Sequence, residues 1–167
     1  MSTFNAQTAA ASALEPFTGP GDIIFTPIDP VVVARQLGIN VFASKLPPDV
    51  SGYIVKRSSA SAPDIFLNRE HSPVRQRFTC AHELGHYFDI LSRGDTAPDE
   101  YAFKRDLLAS CGRDADEIYA NQFAANLLMP VRVMRELVSQ GLNAIEIARE
   151  LHVSVEAVTL RMKNLGL

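Results

Sequence analysis

The spacing of apolar residues changes several times along the chain, and each change marks an expected element. Residues 1–22 are rich in Ala, Ser and Thr and end in Gly/Pro punctuation. They read as a mobile tail or a loosely attached helix. Order is expected from Ile23 onward. Asp29-Pro30 predicts a helix start, with the aspartate oxygen capping backbone N–H groups and proline at the first helical position. Val31, Val32, Ala34 and Leu37 follow at helical spacing, and Gly38 ends the turn.

The pattern then shifts to strands. Ile39–Ala43, Gly52–Lys56 and Asp64–Asn68 are short, rich in β-formers and separated by turn material, Pro47-Pro48-Asp49 and then Ser58 to Pro63. A small three-stranded sheet is expected. Val74, Phe78, Ala81, Leu84, Phe88 and Leu91 advance by threes and fours, which predicts a long helix from about Pro73 to Ile90. After the polar stretch Ser92 to Glu100, a second helix is expected from Arg113 to Leu128, because Pro130 cannot continue it. Pro130 opens a shorter helix that Gly141 closes. Two more follow, over 143–151 and 154–165, with Ser154 capping the last and Glu156 in its first turn, where the helix dipole favours an acid. Strands first and helices after make the fold class α+β.

Composition narrows the class without naming a function. The 167 residues suit one domain large enough to bury a core unaided. With 47% hydrophobic and 21% charged residues, the balance is globular rather than disordered. Sixteen Lys and Arg against nineteen Asp and Glu give a net charge of −3, so no global basic field draws the chain to nucleic acid or anionic lipid. Two cysteines, Cys80 and Cys111, are too few for a disulfide framework and suit a reducing compartment. No window approaches the ~18 apolar residues of a membrane span. Residues 1–21 carry no Lys or Arg and so lack the basic head of a signal peptide. A cytoplasmic, membrane-free protein is expected.

His82-Glu83-Leu84-Gly85-His86 carries the chemistry. Two imidazoles at i and i+4 lie one turn apart on one helix face, so their nitrogens can converge on a cation. Glu83 sits between them, placed to take a proton from a water activated by zinc. The pentapeptide fixes only three positions and also occurs by chance on surface helices; the amphipathic helix around it favours the metal reading. Catalytic zinc typically takes three protein ligands. Asp89 is one candidate, but seven residues from His82 correspond to ~10 Å of helix rise, too far for one ion. Glu117 is the better candidate, on a separate helix able to cross the first. Asn121 follows it at i+4, where its amide can bond the outer nitrogen of a ligating histidine. Against this stands the alternative that Glu117 belongs to a solvated acidic cluster with Asp114 and Asp116. Gly85 costs ~1 kcal/mol relative to alanine in a helix. With Ala120, Ala124 and Ala125, it would let two helices approach closely.

Two passages, Arg77-Phe78-Thr79-Cys80-Ala81-His82-Glu83-Leu84-Gly85-His86 and the run from Glu117 through Ala120, Asn121, Phe123 and Leu128 to Met129-Pro130, closely resemble the ImmA/IrrE family of metallo-endopeptidases. The resemblance extends from about Pro27 to the end of the chain. It implies metal ligands at His82, His86 and Glu117, a catalytic glutamate at Glu83, and a zincin-like domain over 23–141 with a helical cap of the same domain over 142–167. It also implies a gluzincin-like zinc protease that cleaves XRE-type helix-turn-helix repressors. Manganese suits the same donors. A reading from another class stands beside it: a regulatory or toxin–antitoxin-type binding protein in which the site is idle and contact with a repressor or DNA does the work. Cys80 and the Ala-rich start depart from the family pattern.

Lesser features take plainer readings. Cys80 reads as a small buried hydrophobe, Cys111 as an ordinary residue near a helix start, and His152 as structural. Tyr119, two residues from Glu117, falls on the opposite face and is assigned no catalysis. His71 reads as a polar turn residue, with the alternative of a hydrogen-bond donor to the transition state. The strand carrying Phe66 and Asn68 is expected to offer an edge on which extended substrate pairs. The segment from Ile145 to Arg161 looks like a helix-turn-helix. From Asn143 onward, however, Arg149, Arg161 and Lys163 are cancelled by Glu146, Glu150 and Glu156. The basic footprint of a DNA reader is missing, so these helices read as a cap or a platform for the substrate protein.

Overall fold

The structure is a computed structural model that describes residues 5–94, 100–106 and 115–167. Among these residues the elements run α1 (Ala6–Leu14), a 3-10 turn (Glu15–Phe17), β1 (Thr18–Gly19), β2 (Ile23–Ile24), α2 (Pro30–Gln36), β3 (Asn40–Ser44), β4 (Val50–Lys56) and β5 (Asp64–Asn68). There follow α3 (Pro73–Ser92), β6 (Tyr101–Asp106), α4 (Ala115–Leu128), α5 (Val131–Ser139), α6 (Ala144–Leu151) and α7 (Val155–Leu165). The mixed α+β class agrees with the sequence. Cys111 and the expected helix start at Arg113 lie outside the described residues.

The sheet corrects the expectation of three strands. It has four in the order β3-β5-β4-β6, and a separate two-stranded ladder joins β1 and β2. β3 runs parallel to β5, while β4 is antiparallel to both β5 and β6, with a register irregularity between Val50 and Gly52. The sequence reading assigns nothing to residues 101–106, although Tyr101 and Phe103 alternate with Ala102 and Lys104 as a half-buried strand requires. Strand β5 is therefore internal, paired on both sides, and the expected free edge at Phe66 does not exist.

The N-terminal segment is a second correction. Asn5 caps α1 by accepting from the Thr8 N–H at 2.8 Å. Ala6, Ala9, Ala10, Ala13 and Leu14 form a buried face packed on α4. Alanine contributes little hydrophobic contrast to a sequence pattern, yet its small side chain lets helices approach closely. Within the segment read as mobile or loosely attached, residues 6–14 thus form a helix whose buried face joins the core.

Elsewhere, local chemistry sets the element ends. The Asp29 carboxylate accepts from the Val31 N–H, and Pro30 opens α2. Ser72 caps α3 and Ser154 caps α7, while Asn143 and Glu146 form a reciprocal capping box on α6. Helix α3 lies against β4 and β5 and crosses α4. Gly52 on β4 permits the first contact, since a Cβ there would stand 2.6 Å from both the Phe66 carbonyl and Thr79 Cγ2. Ile147, Leu151 and Val158 from α6 and α7 join the same buried cluster as Leu84, Phe123 and Ile65. Among the described residues, no helix is long and apolar enough to cross a membrane.

Candidate metal centre

Helix α3 presents His82 and His86 from adjacent turns, and α4 delivers Glu117 to them. The Nε2 atoms of the two imidazoles lie 3.0 Å apart. Glu117 Oε2 is 3.3 Å from His82 Nε2, and Glu117 Oε1 is 3.1 Å from His86 Nε2. Both rings are buried, crossed at 83°, and the carboxylate is partly exposed. Two imidazole nitrogens and a carboxylate oxygen are the donor set that zinc and its neighbours in the periodic table accept. The alternative of a solvated acidic cluster does not hold for Glu117, which turns inward. Asp89 pairs instead with Arg93, which also reaches Asp116 at 3.3 Å and so ties the end of α3 to the start of α4.

The outer atoms of the site are also placed. His82 Nδ1 donates to Asn121 Oδ1 at 3.0 Å, which leaves the Nε2 lone pair directed at the shared centre. Burial, and then the neighbouring His82, push the pKa of His86 down to about 4 despite the opposing pull of Glu117. The ring is therefore a neutral lone-pair donor at physiological pH. Glu83 is completely buried next to His82. The two helices come together because Gly85 lacks a side chain: a Cβ there would stand 2.6 Å from Ala120 Cα. Arg77 steadies α3 by donating to the carbonyls of Ile28 and His152.

Phe66 and Asn68 are placed elsewhere. Phe66 stacks between Phe42 and Tyr53, with ring centroids at 5.3 and 4.9 Å. Asn68 is wholly buried; its amide donates to the carbonyls of Leu46, Pro47 and Val50, and its Oδ1 accepts from the Glu70 N–H. It clasps a loop and has no surface to offer a substrate. The His71 carbonyl accepts from Gln76, and His152 is the left-handed C-cap of α6. Cys80 is buried, and burial pushes its thiol pKa up, as suits an inert core residue. Sequence reasoning missed Arg161, whose side chain is turned into the protein. Its only sequence signal is its place on the α7 face shared with Val158.

An H-E-x-x-H helix whose paired imidazoles meet a carboxylate from a crossing helix, on an α+β scaffold, defines the metallopeptidase class of site. The Peptidase_M78 family, described as an IrrE N-terminal-like domain, matches residues 34–163. The chain belongs to that family. No curated protein matches it. Among solved structures the fold is similar to a chain titled "Mycobacterium tuberculosis transcriptional regulator", with a TM-score of 0.61 and 19% identity. The alignment covers 95% of this chain and 46% of that one, so this chain spans about half of its length. At that identity, the likeness is one of fold.

Proposed function

We propose that this protein is a zinc-dependent endopeptidase that cleaves a regulatory protein, an XRE-type helix-turn-helix repressor. The observation that carries the reading is the convergence of His82 Nε2, His86 Nε2 and a Glu117 carboxylate oxygen, all within 4.8 Å of one another. These three residues would hold the metal, and Asn121 fixes the ring of His82. A divalent metal bound there supplies a Lewis acid that brings the pKa of water towards ~7 and polarises a carbonyl. Glu83 takes the proton of the attacking water and returns it to the departing amine, which balances the hydrolysis. Its burial keeps bulk water from competing for that proton. Manganese fits the same donors.

The C-terminal helices support contact with a protein rather than with DNA. Arg161 is buried against Met129 and Asn126, which leaves the exposed Arg149 and Lys163 outnumbered by three exposed glutamates, Glu146, Glu150 and Glu156. That surface lacks the excess of basic groups that a phosphate backbone needs. The test is to incubate the purified protein with the helix-turn-helix repressor encoded beside its gene, with and without a chelator. Chelator-sensitive cleavage is expected. Stable binding with no cleavage at any metal loading favours a non-catalytic regulatory partner instead.

A further inference from the structure

On the α7 side of the metal centre lies a cavity of about 540 Å³, with Asn121 in one wall. A second cavity of about 350 Å³ shares Phe78, Ser154, Glu156 and Ala157 with it, so the two form one groove leading from the start of α3 towards Asn121. A groove of that form suits an extended polypeptide better than a compact metabolite. Its walls mix apolar side chains, Phe78, Met129, Ala157 and Leu160 among them, with polar ones, and Leu160 is 58% exposed.

The groove has charged groups at its surface, Arg75 and Glu156, and one charged group that is buried. Arg161 lines the larger cavity and is only 8% exposed. Of the five N–H donors on a guanidinium, the structure engages Nε with the Met129 carbonyl at 3.1 Å and Nη2 with Asn126 Oδ1 at 2.7 Å. Both acceptors are neutral. Among the described residues Arg161 makes no ion pair, and burial alone pushes its pKa down with no acidic group to offset it. Buried cations are normally paired. Glu156 lines the same groove but is exposed at its rim.

We propose that this cavity is a substrate subsite for a carboxylate, with Arg161 as its counter-ion, and that the natural occupant is a glutamate or aspartate side chain of the polypeptide to be cut. The aliphatic stem of a glutamate fits against Phe78 and Leu160 while its carboxylate receives guanidinium N–H groups. The inference rests on the endopeptidase reading for the word substrate, but the carboxylate site itself does not require catalysis.

Isotope-labelled full-length protein, as purified and after chelation, is titrated with N-acetylglutamate N-methylamide, its glutamine counterpart, and N-acetylalanine, which carries a chain-terminal carboxylate. Movement of the Ala125, Ala157 and Leu160 methyl resonances is followed. The glutamate probe is expected to bind about tenfold more tightly than the glutamine probe, as one charge-assisted contact warrants, and to do so with or without metal. Preference for N-acetylalanine keeps the carboxylate site and assigns it to a chain end. Equal binding of the glutamine probe, or no movement of these methyls, overturns the proposal.

Replacing Arg161 risks the fold, because it ties α7 to α4. Leu160→Glu changes an exposed position, removes the apolar wall for the glutamate stem and adds to Glu156 a second like charge at the mouth; it should abolish the preference for glutamate while leaving the melting temperature unchanged. Retention of the preference in that variant also overturns the proposal. A cleavage profile of a peptide library separates the two readings. Carboxylate binding without any cleavage leaves the subsite and removes the endopeptidase, whereas cleavage with no acidic preference at a fixed position does the reverse.

Discussion

Gly85 on α3 faces Ala120 on α4 so closely that a β-carbon added to the glycine would stand 2.6 Å from Ala120 Cα and 2.9 Å from its carbonyl oxygen. Those atoms are backbone and cannot rotate away. The contact sits one residue before His86 and three after Glu117, so the spacing of the two helices there also sets the reach of the carboxylate to the imidazoles.

Gly85→Ala therefore opposes two effects. Alanine gains ~1 kcal/mol of helix propensity, but overpacking against backbone costs roughly 1–3 kcal/mol, and the obstruction here has no flexible side chain to move. A net loss of stability is expected, together with weaker metal binding as α4 is pushed off. Thermal melts and zinc titration check both; a stabilised protein with unchanged metal affinity contradicts this account of the crossing.

Glu83→Gln removes the proton acceptor and leaves the three metal-donor side chains in place. Metal content should match the parent, while the turnover rate falls by about 10²–10⁴-fold, the usual contribution of a positioned acid–base group. Elemental analysis and a cleavage assay on the same preparation decide the matter. Full activity in this variant removes Glu83 from the mechanism.

Asn121→Ala deletes the acceptor on His82 Nδ1, now 3.0 Å away. The ring keeps its place on the helix but loses the bond that selects its tautomer and orientation. Loss of such a partner typically weakens metal affinity by about 10–100-fold. Competition with a chromogenic chelator measures it, and an unchanged affinity excludes Asn121 from supporting the centre.

What was legible in the sequence follows the range of the interactions involved. His82, Glu83 and His86 are fixed by helical periodicity within five residues, whereas Glu117 lies on another helix. The residues alone leave it open between a ligand and a solvated acidic cluster, and the family resemblance makes the choice, with Asn121 following by its i+4 relation. Asp29, Ser154 and Gly38 act on their own neighbours and are equally readable. The order of strands is not local: nothing within Asp64–Asn68 tells that β3 and β4 will cover both its sides. The alanine face of α1 is invisible for a different reason, since alanines contrast weakly with the serines and threonines between them. Arg161 reads as a surface charge in a cancelling set, and only the fold turns it inward.

Asn68 illustrates the cost of misreading a buried amide as a ligand contact, and it supplies the last prediction. Its Nδ2 donates to Val50 at 2.9 Å, Pro47 at 3.2 Å and Leu46 at 3.4 Å, holding the chain between β3 and β4 onto the end of β5. Asn68→Ala leaves the buried Val50 acceptor without this donor, a loss of about 1–3 kcal/mol. Asn68→Asp is worse, because a carboxylate accepts and would face those carbonyls with like partial charge. Denaturant midpoints should fall in the order Asn, Ala, Asp, while catalytic efficiency per folded molecule stays close to the parent. A stable Asn68→Ala protein with a raised KM would instead return this residue to the substrate-binding surface.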